Sequence, residues 1–172
     1  EYGSRAGVWR VLNLFKNYEL PITVFAVANA LKRNQKFCDQ VLKDDHEICS
    51  HGLKWINYHG ISEDIERSHM QEAIEIQKSI CGYRPLGWYT GRTSENTRKL
   101  VAEEGGFLYD SDDYSDDLPF WSKSHLSMSL YRLACYLVSG CPAITVVIAQ
   151  PNVPGNFHIH IGIWVIKIFT HL

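Results

Sequence analysis

Residues 22–27 read ITVFAV, a short run whose side chains are β-branched or apolar on both alternating faces. A strand with one face in water alternates apolar and polar residues, whereas a strand covered on both faces carries a nearly continuous apolar run. β-Branched and aromatic residues also favour the extended chain. The run therefore predicts a central strand of a parallel sheet, with helices covering both of its faces.

Helix and strand patterns alternate on both sides of this run. The predicted helices are 7–18, a stretch ending at Leu42, 62–80 and 95–104, and the predicted strands are 22–27, 47–51, 86–89 and 107–109. Ser62 and Ser94 are the predicted caps of the last two helices, and the glycines that follow these helices should end them. Such alternation predicts an α/β fold, an incomplete (β/α) barrel whose site lies at the carboxyl ends of its strands.

The composition is that of one globular domain. The chain has 172 residues, 45% hydrophobic and 21% charged, with a net charge of −2. This charge leaves no basic surface for a phosphate backbone, so nucleic acid is excluded as an expected partner. The five cysteines are scattered and lack metal-site spacing, which predicts reduced thiols in a cytoplasmic protein. The first residues show no secretory pattern, and the missing initiator Met suggests a fragment.

Charge is distributed unevenly along the chain. All 19 acidic residues lie at or before Asp117, whereas a uniform density would place about nine in the remainder. Three interpretations of the tail are open. In the first, the tail spans a membrane, but glycines, prolines and a lysine interrupt the run of roughly 20 apolar residues that a span needs. In the second, the tail contains buried strands, and residues 143–149 fit one. In the third interpretation, residues 122–172 are not native to the fold. We therefore divide the chain into a domain at 1–121 and an atypical tail, which should not continue the barrel regularly.

Polar residues follow three of the predicted strands. His51 directly follows one strand, the turn at 90–92 follows another, and the acidic segment 110–113 follows a third. Because the carboxyl ends of parallel strands share one edge of a sheet, these side chains should converge. Two structural alternatives stay open. A lone histidine is more often a hydrogen-bonding residue of the core, and Arg92 could equally pair with an acid of the third segment.

Several segments resemble the polysaccharide deacetylase superfamily. Residues 50–52 (SHG) are similar to the start of its S-H-[ST]-x-x-H motif, which supplies two metal-binding histidines, and residues 84–87 (RPLG) resemble its R-P-P-[YF]-G motif. The resemblance to the allantoinase branch is longer, and it rests on residues 1–7 (EYGSRAG), 84–92 (RPLGWYTGR) and 103–112 (EEGGFLYDSD). It covers about residues 1–121 and implies a barrel of the polysaccharide-deacetylase (NodB homology) type.

One departure bears on the metal that the superfamily uses. Trp55 stands where the second histidine is expected, and indole cannot donate a lone pair to a metal. The carboxylate-bearing first motif would lie before Glu1. His46 precedes its strand and should lie at the opposite end of the sheet, and Asp44 and Asp45 are typical of a solvated turn. We therefore expect no cofactor, and a catalytic zinc is the disfavoured alternative.

The resemblance implies a hydrolase that acts on a carbon–nitrogen bond other than a peptide bond, and most specifically one that opens the ring of allantoin to give allantoate. Water must attack a carbonyl that becomes an oxyanion, so the site needs a proton acceptor and hydrogen-bond donors. His51 is the predicted catalytic base, since imidazole has an unperturbed pKa of about 6.5. Glu1 and Asp112 are the second candidates, for orienting water or the histidine.

Five residues are predicted to bind the substrate: Arg92, Arg5, Trp88, Thr90 and Trp55. Arginine forks can hold carbonyl oxygens or a planar ureido group by paired hydrogen bonds, and the indole rings would wall a flat molecule. Trp88 is also typical of a core residue. The expected partner is a small-molecule ureide, with no membrane contact, and a homo-oligomer stays open.

Two other functions compete with ring opening. A metal-dependent deacetylase of N-acetylated polysaccharide, such as chitin or peptidoglycan, would need the pair of ligands that this sequence lacks. An inactive fragment of either enzyme is the other alternative, because a strand before residue 1 and the last third of a barrel would be absent.

Overall fold

One open sheet organises the molecule. The computed structural model describes residues 2–113 and, beyond them, three strands. A π-helical turn, Gly3–Gly7, leads into helix α1. The helices are α1 (Val8–Asn17), α2 (Ala28–Arg33), α3 (Gln35–Lys43), α4 (Glu63–Cys81) and α5 (Thr97–Glu104). The strands are β1 (Thr23–Ala26), β2 (Glu47–Ser50), β3 (Gly87–Trp88), β4 (Tyr109–Asp110), β5 (Phe120–Lys123), β6 (Tyr131–Ala134) and β7 (Val165–Ile168).

Strands β1 to β4 pair in parallel in chain order, as the alternating pattern predicted. The whole sheet runs β5-β6-β4-β3-β2-β1-β7. Among the strands described, β5 and β7 lie at its edges, so these strands do not close into a barrel. The predicted α/β class and incomplete barrel are therefore confirmed.

Strand β1 is buried along its whole length, but its two faces are covered differently. On one face Val24 joins a core cluster with Leu12 of α1 and Val41 of α3. On the other face Phe25 meets the ring of Tyr89 edge-on, with centroids 4.9 Å apart. That second face thus meets a side chain that follows β3, two strands away in the sheet, as in a barrel interior. The expectation of helices on both faces is corrected, because a continuous apolar run is equally suited to a barrel strand.

The helix ends depart from the predicted caps at several points. Gly82 and Gly105 end α4 and α5 in the left-handed conformation, as expected. Ser62 precedes α4 without a side-chain capping bond, and α5 begins at Thr97, two residues later than predicted. The stretch ending near Leu42 is two helices, because Asn34 ends α2 and its side chain accepts a hydrogen bond from the Phe37 N–H of α3.

Three strands of the tail region join this sheet. Strand β6 pairs in parallel with β4, β7 pairs in parallel with β1, and β5 runs antiparallel to β6. The predicted strand at 143–149 lies outside the described residues. The division at residue 121 stays a prediction. In the described part of the chain, no helix has the length and apolarity that crossing a bilayer requires.

His46 lies before β2, at the end of the sheet opposite to His51, as the sequence predicted. It is 6% exposed, and neither ring nitrogen has a hydrogen-bond partner among the described residues. Burial lowers the pKa of His46 from its usual value near 6.5, while Asp44 and Asp45 oppose the change. Asp44 also pairs with Lys16 at 2.8 Å, so the predicted solvated turn carries an ion pair. His46 is therefore a buried imidazole whose neutral form is favoured by burial.

Replacing His46 by phenylalanine is expected to stabilise the fold, and most strongly in acid. The unfolded chain binds the proton more tightly than the folded one, so folding free energy is lost as the pH falls through 6.5 towards the lower folded pKa. Denaturant unfolding at pH 8 and pH 5 would measure this effect. The wild type should lose more stability over that interval than His46→Phe, whereas a replacement of the exposed His59 should follow the wild type. Parallel pH profiles for wild type and His46→Phe would contradict the prediction.

Candidate functional site

Residues that follow β2, β3 and β4 meet at the carboxyl edge of the sheet. His51 follows β2 and is 4% exposed, and its backbone N–H donates to the Ala26 carbonyl at 2.9 Å. Tyr89 follows β3, and its ring centroid lies 5.0 Å from that of His51. The Tyr89 N–H donates to the Ser50 carbonyl at 2.9 Å, which fixes the two strand ends in register. The predicted convergence of these strand ends is therefore observed.

Gly52 turns the chain immediately after His51. Its φ of +74° lies in the left-handed region, which a residue with a Cβ adopts only at a cost. Its carbonyl accepts the Ala28 N–H at 2.9 Å, so the turn is tied to the start of α2. The backbone conformation at position 52 therefore explains why glycine follows His51. The turn continues into the segment that carries Trp55.

Asp112 binds the backbone of the turn that follows β3. Its carboxylate accepts the Thr90 N–H and the Gly91 N–H, each at 2.7 Å, and its side chain is buried. Burial, together with the charge of Asp110, raises the pKa of Asp112 to about 7, although hydrogen bonds from Gly91 and Thr90 oppose the rise. Asp112 therefore holds the loop that carries Arg92. Its predicted role in orienting water or His51 stays a prediction.

Two of the predicted substrate-binding residues contact each other. The Arg92 guanidinium carbon lies 4.6 Å from the centroid of the Trp55 ring, which is the geometry of a cation–π pair. Trp55 is 40% exposed and Arg92 is exposed as well. Among residues 2–113 no ion pair joins Arg92 to Asp110 or Asp112. The exposed parts of the stacked pair are available to a ligand from solvent.

The other predicted binding residues lie in different surroundings. Trp88 is 3% exposed and packs on Phe107 in a core cluster with Met70 and Leu100, so the structure assigns it to the core, the alternative that the sequence had left open. Thr90 is buried beside Asp112. Arg5 is exposed on the π-helical turn and lines a separate cleft. Glu1 lies outside the described residues.

Two residues of this region escaped prediction from the sequence. Tyr89 is the aromatic neighbour of His51, and its place directly after a strand in the segment 84–92 was a usable signal. Glu66 of α4 is buried, and its carboxylate accepts hydrogen bonds from the hydroxyls of Thr97 and Ser94. Ser94, the predicted cap, therefore anchors the loop after Arg92 to α4. Since 28 residues separate Ser94 from Glu66, no local pattern could reveal this contact.

Arg84 supports the edge of the site. Its Nη2 donates to both carboxylate oxygens of Glu104, at 2.9 and 2.7 Å, and its guanidinium lies over the Phe107 ring at 5.5 Å. This pairing ties the loop before β3 to the end of α5. The arginine is therefore engaged with the protein and does not lie among the residues around His51.

The parallel α/β sheet and the polar residues at its carboxyl edge define the broad class, an α/β protein with a strand-end site. Comparison with known proteins defines the family. The model of the polysaccharide deacetylase family matches residues 1–107. The chain belongs to the polysaccharide deacetylase family.

Individual relatives agree with this assignment. A Schizosaccharomyces pombe protein provisionally named polysaccharide deacetylase is 42% identical over 128 residues, which are 70% of this chain and 40% of the relative. The peptidoglycan deacetylase of Helicobacter pylori is 24% identical over 168 residues, 92% of this chain and 55% of the relative. This second similarity reaches beyond residue 121, where the resemblance noted in the sequence had ended.

Solved structures of the family superpose on the fold. PuuE allantoinase is 52% identical and superposes with a TM-score of 0.77, over 81% of this chain and 46% of that protein. A Pseudomonas aeruginosa PAO1 protein provisionally titled polysaccharide deacetylase is 55% identical, with the same TM-score and coverage. The chain therefore spans less than half the length of these two structures.

The described residues do not fit the metal that the family's histidine motif would hold. Trp55, at the position of the second histidine, stacks on Arg92 and offers no lone pair. Within the part of the chain that the structure describes, no three His, Cys, Asp or Glu side chains are grouped as ligands of one ion. We therefore derive no chemical step through a metal.

Proposed function

We propose that the protein is a cyclic amide hydrolase that opens the hydantoin ring of allantoin to give allantoate. The observation that carries the proposal concerns two positions of one motif. His51, at the first histidine position, is buried, and Trp55, an indole, stands at the second histidine position. This arrangement suits proton transfer and does not suit metal ligation. The 52% identity to PuuE allantoinase supports the proposed substrate.

His51 is the proposed base. As the oxygen of a water molecule bonds to the ring carbonyl carbon, the imidazole accepts a water proton and the carbonyl oxygen gains negative charge. When the carbon–nitrogen bond breaks, the imidazolium returns its proton to the leaving nitrogen. The position of His51 at the end of β2 suits this shuttle, because backbone hydrogen bonds to Ala26 and from Tyr89 to Ser50 hold the strand ends around it.

Arg92 and Trp55 are the proposed substrate clamp. The indole supplies a flat apolar surface for a planar ring, and the guanidinium supplies paired donors for a carbonyl or ureido oxygen. Asp112 positions this clamp through the Thr90 and Gly91 amides. Such donors also stabilise negative charge on the carbonyl oxygen when it develops. A small, planar, uncharged ureide matches the chemistry of this arrangement.

Ring opening is expected to need no added metal. Allantoin consumption would be assayed before and after exhaustive chelation, and again after addition of zinc. Equal rates are expected in all three, because Trp55 occupies the position of a ligand. Activity that disappears on chelation and returns only with zinc would reject the metal-free mechanism.

A deacetylase acting on N-acetylated polysaccharide is the second candidate. Its support is the family itself, together with the 55% identity to the Pseudomonas aeruginosa protein. Parallel assays separate the two, with allantoin in one and N-acetylglucosamine oligomers in the other. Acetate release from the oligomers without consumption of allantoin would favour this candidate.

A further inference from the structure

A cleft of about 320 Å³ lies beside the strand-end site. It is lined by Ser4 and Arg5 of the π-helical turn, Ala26 at the end of β1, Ala30, Leu31 and Arg33 of α2, and Asn34 and Phe37. Its volume is at the lower end of the range for small-molecule pockets. Three separate segments of the chain therefore build a concave surface that the proposed mechanism does not use, although the sequence had predicted Arg5 as a substrate-binding residue.

Most of the polar side-chain groups of this cleft are hydrogen-bond donors, and the Ser4 hydroxyl can both donate and accept. Arg5 and Arg33 contribute two guanidinium groups, and no acidic residue is present among the described residues of the lining. The Asn34 side-chain oxygen already accepts the Phe37 N–H at 3.3 Å, which leaves the amide NH₂ of Asn34 as its available group. The Arg33 guanidinium and the Asn34 amide, with no carboxylate among the described lining residues, favour an anionic ligand.

The residues that line the cleft indicate which kind of anion it would bind. Leu31 and Phe37 are buried apolar residues that suit an organic body, and a guanidinium fork matches the two oxygens of a carboxylate. The Phe37 N–H, at the start of α3, is taken by Asn34, so it is not available to a phosphate group. A small organic carboxylate fits these features better than inorganic phosphate does.

The cleft is connected to the site through one backbone bond. Ala26 lines the cleft, and its carbonyl accepts the His51 N–H at 2.9 Å. A ligand in the cleft would therefore lie against the same strand end that holds the proposed base.

We propose that this cleft binds the carboxylate of a small ureido acid, with Arg33 as the residue that holds it. The identity of the ligand rests on the proposed function, because opening a cyclic ureide creates a carboxylate on a ureido-bearing product. Binding of such an acid can be measured without turnover.

Titration with N-carbamoylglycine, followed by calorimetry or by chemical-shift changes, tests the proposal. Arg33→Gln should weaken binding by about 10- to 100-fold, the usual worth of a charge-assisted hydrogen bond. Lys32→Gln is the matched control, because it removes the same charge from an exposed neighbour on α2 that does not line the cleft, and it should change affinity less than about twofold. The uncharged amide of N-carbamoylglycine should bind at least about tenfold more weakly than the acid.

The outcomes separate this proposal from the proposed function. Equal binding of acid and amide, equal losses in Arg33→Gln and Lys32→Gln, or tighter binding of inorganic phosphate would each overturn the site. If the acid binds through Arg33 while allantoin is not consumed, the site stands and the proposed reaction falls. If allantoin is hydrolysed but Arg33→Gln binds the acid normally, the reaction stands and the site falls.

Discussion

Replacing His51 by alanine is expected to lower allantoin turnover by about 10²–10⁴-fold, the usual contribution of a general acid–base group. His51 is the histidine that the structure places at the carboxyl edge of β2, next to Tyr89. Its link to Ala26 is made by the backbone N–H, which alanine retains. The loss should therefore be mainly in kcat, with a smaller effect on stability.

A matched control separates proton transfer from a general effect of losing an imidazole. His59 is exposed in the loop before α4, so His59→Ala should keep wild-type turnover. Added imidazole should restore part of the activity of His51→Ala. It should leave the activity of the His59→Ala control unchanged. Normal turnover by a folded His51→Ala protein would show that His51 is structural.

The order of elements could be predicted because local patterns specify it. The run at 22–27, the helix that became α4 and the glycines that end α4 and α5 all depend on neighbours within a few residues. The kind of layer covering the second face of β1 could not be predicted, because Phe25 meets Tyr89, a residue 64 positions away. Periodicity reports that a face is buried and does not report what buries it.

Part of the candidate site could also be predicted from the sequence, and part could not. Placing His51, the 90–92 turn and Asp112 at one edge followed from the rule for parallel strands, and the structure brings them together. The binding partner of Asp112 did not follow from that rule, because the carboxylate accepts hydrogen bonds from the Thr90 and Gly91 amides and not from a cationic side chain. The stacking of Arg92 on Trp55 joins residues 37 positions apart in two loops, a contact that only the fold can specify.

Replacing Gly87 by alanine should destabilise the fold more than the same replacement at Gly106 or Gly3. A Cβ at Gly87 would lie 2.0 Å from Cζ of the Tyr109 ring, far inside van der Waals contact. Gly87 and Tyr109 are partners in the parallel pairing of β3 and β4. The ring is buried, and its hydroxyl donates to Glu47 at 2.7 Å, so it cannot swing into solvent. Overpacking of this kind typically costs about 1–3 kcal/mol, and a fixed ring places Gly87→Ala at or above the upper end.

Alanine replacements at two other glycines give a comparison for the loss of stability in Gly87→Ala. A Cβ at Gly106 would also overlap a side chain, at 2.1 Å from Arg84, but that contact is the end of a flexible side chain, which can move at the cost of its pair with Glu104. A Cβ at Gly3 would meet nothing within 4 Å. Denaturant unfolding should therefore rank the losses as Gly87→Ala, then Gly106→Ala, then Gly3→Ala near zero.

The double variant Gly87→Ala/Tyr109→Leu tests the cause of the loss. If the overlap with the ring is responsible, Gly87→Ala should cost less in the Tyr109→Leu background than in the wild type, because the rigid ring that the new methyl group meets has gone. A loss of the same size in both backgrounds would place the cause in the backbone of β3, where alanine would be unfavourable whatever stands opposite. That outcome would reject the ring contact as the reason for glycine at this position.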